Sequence, residues 1–176
     1  MMRINNVSDP GFVTEAQTIT FLDRRGFETY GTYYVCRDSS SLIKVIQTIK
    51  AIPETNFFNS QGEHLIYGDS ICPGLAMNFA KTLKPENRST IDSSYTLEDI
   101  MNLVKPVGGV IYNEDPRFDF SVIFYWATFV GRINNNVFEI AEELKKNPQL
   151  KIRLLFVNVD FQDSWGMKNI PQIISN

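Results

Sequence analysis

The sequence predicts an α/β fold in which helices cover a mixed β-sheet. Apolar residues at i, i+3, i+4 and i+7 recur in several segments, and short apolar runs lie between them, which indicates helices alternating with strands. Late in the chain two apolar runs, 120–127 and 152–159, flank an amphipathic segment at 134–146. A strand, a helix and a strand in close succession are typical of a right-handed parallel βαβ unit.

The composition is that of a folded chain with nearly balanced charge. The 176 residues include 17 basic and 20 acidic ones, for a formal net charge of -3, which argues against the basic surface of a nucleic-acid-binding protein. No apolar run approaches the ~18 residues of a membrane span. His64 is the only histidine, and Cys36 and Cys72 are the only cysteines. We therefore expect no metal site, no cofactor and no disulfide framework.

Two strands are predicted near the start of the chain. Residues 1–16 are polar and rich in turn formers, so we expect a flexible N-terminal arm. The run 17–22 (QTITFL) alternates and contains β-branched residues, and 32–36 (TYYVC) is similar. Both patterns predict strands.

Two amphipathic helices and a hairpin are predicted next. Asp38 and the serines after it can cap a helix that stops before Pro53, and Pro73 begins the second helix at the position that proline favours. Between them, the segment 59–62 (NSQG) separates two strand-like runs, which predicts a hairpin.

The second half begins after a polar segment, 85–94, which we interpret as a linker. A helix is predicted over 96–105, where Thr96 can cap the first turn. A short strand is predicted over 108–112, and the βαβ unit follows it.

The run 124–133 (FYWATFVGRI) resembles the active-site segment of the thioredoxin-fold family. In that family a buried strand ends in Trp-Ala, and a Cys-x-x-Cys motif then begins a long helix. The tripeptide Trp-Ala-Thr most resembles the corresponding segment of the periplasmic thioredoxin-like reductases of bacteria. The next strand ends in Val157-Asn-Val-Asp160, similar to the Val-x-Val-Asp of the family. Residues 33–83 resemble the β-α-β-β-α tail of the same fold.

The resemblance implies a thioredoxin-like sheet with an elaborated or permuted N-terminal half, because the tail-like half, 17–84, precedes the head-like half, 95–176. A permuted domain, two partial domains in tandem and a fragment of a longer tandem protein all fit this order. We favour one compact domain over 17–176. A short repeat, 49–53 and 167–171, ends each time in Ile-Pro.

The positions that match the family's redox cysteines are Val130 and Ile133. Neither side chain can form a thiolate or a mixed disulfide, so dithiol exchange at this turn is excluded. The first hypothesis is therefore a redox-inactive interaction or structural module that binds a protein or peptide partner.

In the thioredoxin fold, a cis-proline beside the active-site helix holds a peptide as an added strand, through main-chain hydrogen bonds that need no thiol. Pro53 and Pro171 are the candidates for that cis-proline, and Phe129 and Trp165 are candidates for exposed contacts. The predicted partner-binding residues are Trp126, Thr128, Phe129, Val130, Ile133, Ile170 and Pro171.

The alternative hypothesis is a single-cysteine thiol enzyme or redox sensor that uses Cys72, because the start of the predicted helix at Pro73 could activate its thiol. Cys36 is expected to be a core residue, and His64 a surface or cross-strand residue. Helix capping is a sufficient explanation for Asp160.

A homodimer is a third hypothesis. The chain ends five residues after Pro171, before the closing hairpin and helix of the family, so dimerisation or strand swapping would complete the sheet. The first 25 residues contain no apolar leader segment, which suggests the cytoplasm, or the periplasm if a leader has been removed.

Overall fold

The computed structural model describes residues 7–68, 72–85, 90–110 and 117–168. Two of its strands form a small parallel pair, β1 (Phe12–Val13) with β9 (Phe161–Gln162). The strands of the main sheet are β2 (Gly31–Cys36), β3 (Glu54–Asn59), β4 (Glu63–Ile66), β5 (Thr90–Thr96), β6 (Val104–Gly109), β7 (Phe120–Trp126) and β8 (Ile152–Asn158). The helices are α1 (Glu15–Asp23), α2 (Ser39–Thr48), α3 (Pro73–Thr82), α4 (Leu97–Met101) and α5 (Asn135–Lys145).

The main sheet is mixed, and its strand order is β5-β4-β3-β7-β8-β2-β6. Strands β7 and β8 are parallel and α5 connects them, so the predicted βαβ unit is confirmed. Strand β2 continues the parallel set beside β8, whereas β3 is antiparallel to β7. The ends of β7, β8 and β2 and the start of β3 therefore lie at one edge of the sheet, which we call the upper edge.

Helices cover both faces of the sheet, so the α/β fold class is confirmed. On one face, α1, α3 and α5 pack on apolar side chains such as Phe57, Phe124 and Phe156. On the other face, α2 and α4 pack on side chains such as Phe58 and Val157. Strand β7 is buried along its whole length, as its apolar sequence predicts for a central strand.

The two halves of the chain share this one sheet, because β3 of the first half pairs with β7 of the second. The interpretation of 85–94 as a linker is wrong from residue 90 onward, since β5 begins there and pairs with β4. Residues 86–89 lie outside the described residues. Strand β5 escapes the sequence pattern because it is the outermost strand and most of its side chains are exposed.

Three predicted elements need correction. The run 17–22 is helical, because Thr14 and Gln17 form a reciprocal capping box that begins α1 and outweighs the β-branched pattern. The flexible arm predicted over 1–16 is also too long, since β1 lies within it and α1 begins at Glu15. The helix predicted over 96–105 stops at Met101, and the strand predicted over 108–112 begins at Val104 as β6.

No helix in the described ranges is both long and apolar enough to cross a membrane.

Candidate functional site

The turn after β7 is a 3-10 segment, Thr128–Asn134, held in place by two buried side chains. The amide nitrogen of Asn134 donates to the carbonyl oxygen of Ala127 at 2.7 Å, and its amide oxygen accepts from the Ala127 N–H at 3.4 Å. Asp160 accepts from the main-chain N–H of Thr128 at 2.7 Å and from its hydroxyl at 3.0 Å. Asp160 and Asn134 thus fix the turn that the resemblance singles out.

Asp160 is buried, and burial makes its charged form less stable. Burial raises the pKa of its carboxyl group, and the hydrogen bonds from Thr128 and Asn158 oppose that rise. The amide of Asn158 donates to the carboxylate at 2.6 Å. The cluster is structural in character, because its buried polar atoms bind one another and the turn.

Burial removes three of the predicted partner contacts from the surface. Trp126, Phe129 and Val130 are all buried, and Trp126 is fully so, with its indole stacked on Phe21 at a ring-centroid distance of 4.5 Å. The expectation that they form an exposed contact surface is therefore wrong. Strand β7 ends under a covering helix and buries its last aromatic residue.

The remaining predicted contact residues are either partly exposed or outside the described residues. Thr128, Ile133 and Trp165 are partly exposed. Ile170 and Pro171 lie outside the described residues. The N-terminal segment also lies against the turn, because the Ser8 N–H donates to the Phe129 carbonyl at 2.8 Å.

The peptide bond between Ile52 and Pro53 is cis. Glu54 follows at once and pairs with Tyr125, so Pro53 lies at the upper edge, beside the end of β7. Beyond the helices and strand ladders, no hydrogen bond among the described residues reaches the main-chain N–H or carbonyl of Ile52. Ile52 is partly exposed, and its side chain packs against the core on the face that α2 and α4 cover.

A cleft of about 460 Å³ opens beside Pro53. The end of α2, the starts of α3 and α5, and strands β3 to β5 enclose it. Apolar side chains such as Ile49 and Val137 line part of the wall, and polar side chains line the rest. In this cleft the hydroxyl of Thr55 is buried and has no hydrogen-bond partner within the described ranges, whereas its carbonyl accepts from the Tyr67 hydroxyl at 2.6 Å.

Glu54 is the half-buried carboxylate of the cleft. One of its oxygens, Oε2, accepts from the main-chain N–H groups of Lys50 and Ala51 at 2.6 and 3.0 Å. Burial raises the pKa of Glu54, and these two hydrogen bonds oppose the rise. Its second oxygen, Oε1, faces the amide of Asn56.

A chain of polar side chains continues from Asn56 across the neighbouring strands. The amide of Asn56 lies 2.9 Å from the hydroxyl of Tyr95, which lies 3.3 Å from Nε2 of His64. The other ring nitrogen of His64, Nδ1, lies 3.4 Å from Asp92. Burial lowers the pKa of His64, and the Asp92 carboxylate opposes that effect. His64 is thus a cross-strand residue, as predicted, and it also lines the cleft.

The two cysteines occupy contrasting environments. Cys36 is fully buried, and burial raises the pKa of its thiol to about 12, so it is the core residue that the sequence predicts. Cys72 is exposed at the N-cap of α3 and lines the cleft. No group of three or more His, Cys, Asp or Glu side chains that could hold a metal ion occurs in the part of the chain that the structure describes.

Sequence reasoning missed the cleft as a unit. One local signal was present: Asn56 and His64 lie in the two strands of the predicted hairpin, and in the structure Glu54, Asn56 and His64 share one face of the sheet. Asp92 could not be added, because it lies in the segment interpreted as a linker, and Tyr95 follows that segment directly.

Comparison of the chain with protein-family models, curated proteins and solved structures finds no match in any of the three.

Proposed function

We propose that the chain is a redox-inactive, thioredoxin-like module that holds an extended peptide segment of a protein partner in the cleft beside Pro53. The observation that carries the proposal is the main chain of Ile52, which directly precedes Pro53 in the cleft wall and whose N–H and carbonyl take part in no hydrogen bond among the described residues. A peptide laid along this edge would exchange main-chain hydrogen bonds with Ile52, as an added strand does.

Three features support the thioredoxin-like part of the proposal. A buried strand runs into Trp126-Ala127, a turn and then a helix, and a parallel strand follows. The cis bond at Pro53 lies beside the end of that first strand. Val130 and Ile133 stand where the family has its cysteines, so binding is the activity of the family that the side chains still permit.

The cleft offers more than main-chain contacts to such a peptide. Its apolar wall, which includes Ile49 and Val137, can accept a nonpolar side chain of the peptide. Burial of such a side chain is favourable by about 1.5–3 kcal/mol.

Selection from a library of short linear peptides, followed by N-methylation of each peptide bond in turn, tests the proposal. A methyl group at the peptide nitrogen that donates to Ile52 should weaken binding about 5- to 150-fold, because one hydrogen bond is lost and the buried carbonyl is left unpaired. Methylation at the adjacent residue, whose N–H points away in an extended strand, is the matched control and should have little effect.

The binding measurement should be paired with the amide NMR signal of Ile52, which is expected to move on saturation. The amide of Gly26 serves as the reference signal, because Gly26 precedes the start of β2, which lies at the end of the strands opposite Pro53. Failure to select any peptide, or a binder insensitive to N-methylation, would contradict the proposal.

A second candidate is thiol chemistry at Cys72, favoured by its exposure and its place in the same cleft. A redox sensor requires Cys72 to react with an alkylating reagent at neutral pH faster than a small unstructured thiol does. An equal or slower rate would remove this candidate and leave peptide binding unaffected.

A further inference from the structure

The amide of Asn56 is directional, because its neighbours dictate which end faces which way. With its nitrogen toward Glu54, the amide donates to Glu54 Oε1 and to the Thr55 carbonyl, both at 3.0 Å, and its oxygen accepts from the Tyr95 hydroxyl at 2.9 Å. The opposite orientation would set the amide oxygen against those two acceptors. The ionised carboxylate and the Thr55 carbonyl therefore fix the amide together, and only the carboxylate can change its role by taking up a proton.

This orientation determines the hydrogen bond between Tyr95 and His64. A phenol has one proton, and here the Tyr95 hydroxyl donates it to Asn56. The rings of Tyr95 and His64 are stacked at a centroid distance of 4.6 Å, and for the 3.3 Å contact between the hydroxyl and Nε2 to be a hydrogen bond, Nε2 must be the donor.

A neutral imidazole with its proton on Nε2 would present a bare Nδ1 to the Asp92 carboxylate at 3.4 Å. Two acceptors would then face each other. A second proton on His64 removes this conflict and makes the contact an ion pair. The donor-to-acceptor direction of the hydrogen bonds through Asn56 and Tyr95 thus favours the imidazolium form of His64.

We infer that Glu54 and His64 form one proton-coupled unit in the wall of the cleft: ionised Glu54 sets the direction of the chain through Asn56 and Tyr95 and thereby favours the protonated form of His64. When Glu54 takes up a proton on Oε1, this hydroxyl can donate to the oxygen of a turned Asn56 amide and offset the opposing Thr55 carbonyl; Tyr95 then donates to His64, and the imidazole becomes neutral with Nδ1–H toward Asp92. The bearing of this switch on a ligand rests on the proposed function, but the coupling itself does not.

Other charged groups face the two ends of the unit. Lys50, at the end of α2, lies near both ends and lowers the pKa of both Glu54 and His64. Glu63 is adjacent to His64 in β4, and its carboxylate accepts from Asn59 at 2.7 Å. The Tyr67 hydroxyl, near Glu54, stays neutral because burial raises its pKa. Among the residues that the structure describes, only Asn56 and Tyr95 join the two ends by hydrogen bonds.

The test is an NMR titration of His64, whose ring signals are unique because the chain has one histidine. Glu54→Gln mimics the protonated carboxyl and keeps an oxygen for the Lys50 and Ala51 amides. It is expected to lower the pKa of His64 by about one pH unit or more, the effect of losing one charge-assisted hydrogen bond. Glu63→Gln, which removes a charge next to His64 without breaking the hydrogen bonds through Asn56 and Tyr95, should lower it much less, because only a through-space charge interaction is lost.

Two further variants separate the chain from direct charge effects and guard against a folding defect in Glu54→Gln. Asn56→Ala interrupts the series of hydrogen bonds between Glu54 and His64 while leaving Glu54 in place, and it should also lower the pKa of His64. In a Tyr95→Phe background, Glu54→Gln should have no further effect, because coupled residues are not additive. An unchanged pKa in Glu54→Gln or Asn56→Ala, a shift in Glu63→Gln as large as in Glu54→Gln, or additivity with Tyr95→Phe would overturn the inference. No ligand is needed, so this outcome is independent of whether a peptide binds.

Discussion

Replacement of Asp160 separates its hydrogen-bonding role from its charge. Asp160→Ala leaves the main-chain N–H of Thr128 and the amide of Asn158 without their acceptor, at contacts that are 2.7 and 2.6 Å in the native protein. At about 1–2 kcal/mol for each orphaned buried donor, the loss of stability should be about 2–4 kcal/mol. For a chain of this size that corresponds to a fall in melting temperature of about 4–16 °C.

Asp160→Asn is the matched control and should cost much less. The amide oxygen can keep both of those donors, while the amide nitrogen can donate to the Thr128 hydroxyl, which accepts as well as donates. The variant also avoids the burial of a charge. We expect its stability at neutral pH to lie within about 1 kcal/mol of the native protein.

The difference in stability between the native protein and Asp160→Asn should depend on pH. Because the pKa of Asp160 is raised in the folded protein, the unfolded chain loses this proton first as pH rises. The folded state then binds more protons than the unfolded state, so the native protein loses stability through this window relative to Asp160→Asn. Chemical unfolding from about pH 4 to about pH 7 measures the difference. A loss in Asp160→Asn as large as in Asp160→Ala, or a difference constant with pH, would refute the reasoning.

Two further predictions concern the backbone and the thiols. Gly109 has φ +74°, and a Cβ placed on it would lie 2.0 Å from the Gly31 carbonyl oxygen, whereas Gly26 has the same φ and nothing within 4 Å. In the same unfolding assay, Gly26→Ala should lower the free energy of unfolding by about 1–2 kcal/mol, and Gly109→Ala should lower it clearly more. Equal losses of stability in the two variants would contradict this prediction. An alkylating reagent at neutral pH should label Cys72 in the native protein and spare Cys36 until unfolding, as mass spectrometry can show, and native labelling of Cys36 would contradict its burial.

The elements with a strong hydrophobic period were predictable from the sequence. Strands β7 and β8 are continuous apolar runs, and α5 has one apolar stripe with charges opposite, so pattern and structure agree. Helix α1 was not predictable by pattern, because its β-branched residues resemble a strand and a single capping box decides the outcome. Strand β5 was missed because a polar edge strand needs no buried face.

The candidate site was less predictable than the fold. The turn was located correctly, but the burial of Trp126 and Phe129 depends on Phe21 and the N-terminal segment, which are distant in sequence. The cleft is assembled from the hairpin, the edge strand β5 and three helix ends. No local sequence pattern predicts that the side chain of Tyr95 contacts that of His64.

We propose that the cleft beside Pro53, and not the turn after β7, is the binding site. An amide NMR shift map recorded with a selected linear peptide distinguishes the two. The largest changes should occur at Ile52, Glu54, His64 and Tyr95. Changes confined to the turn 128–134, with the Ile52 amide unmoved, would show that the peptide does not bind in the cleft.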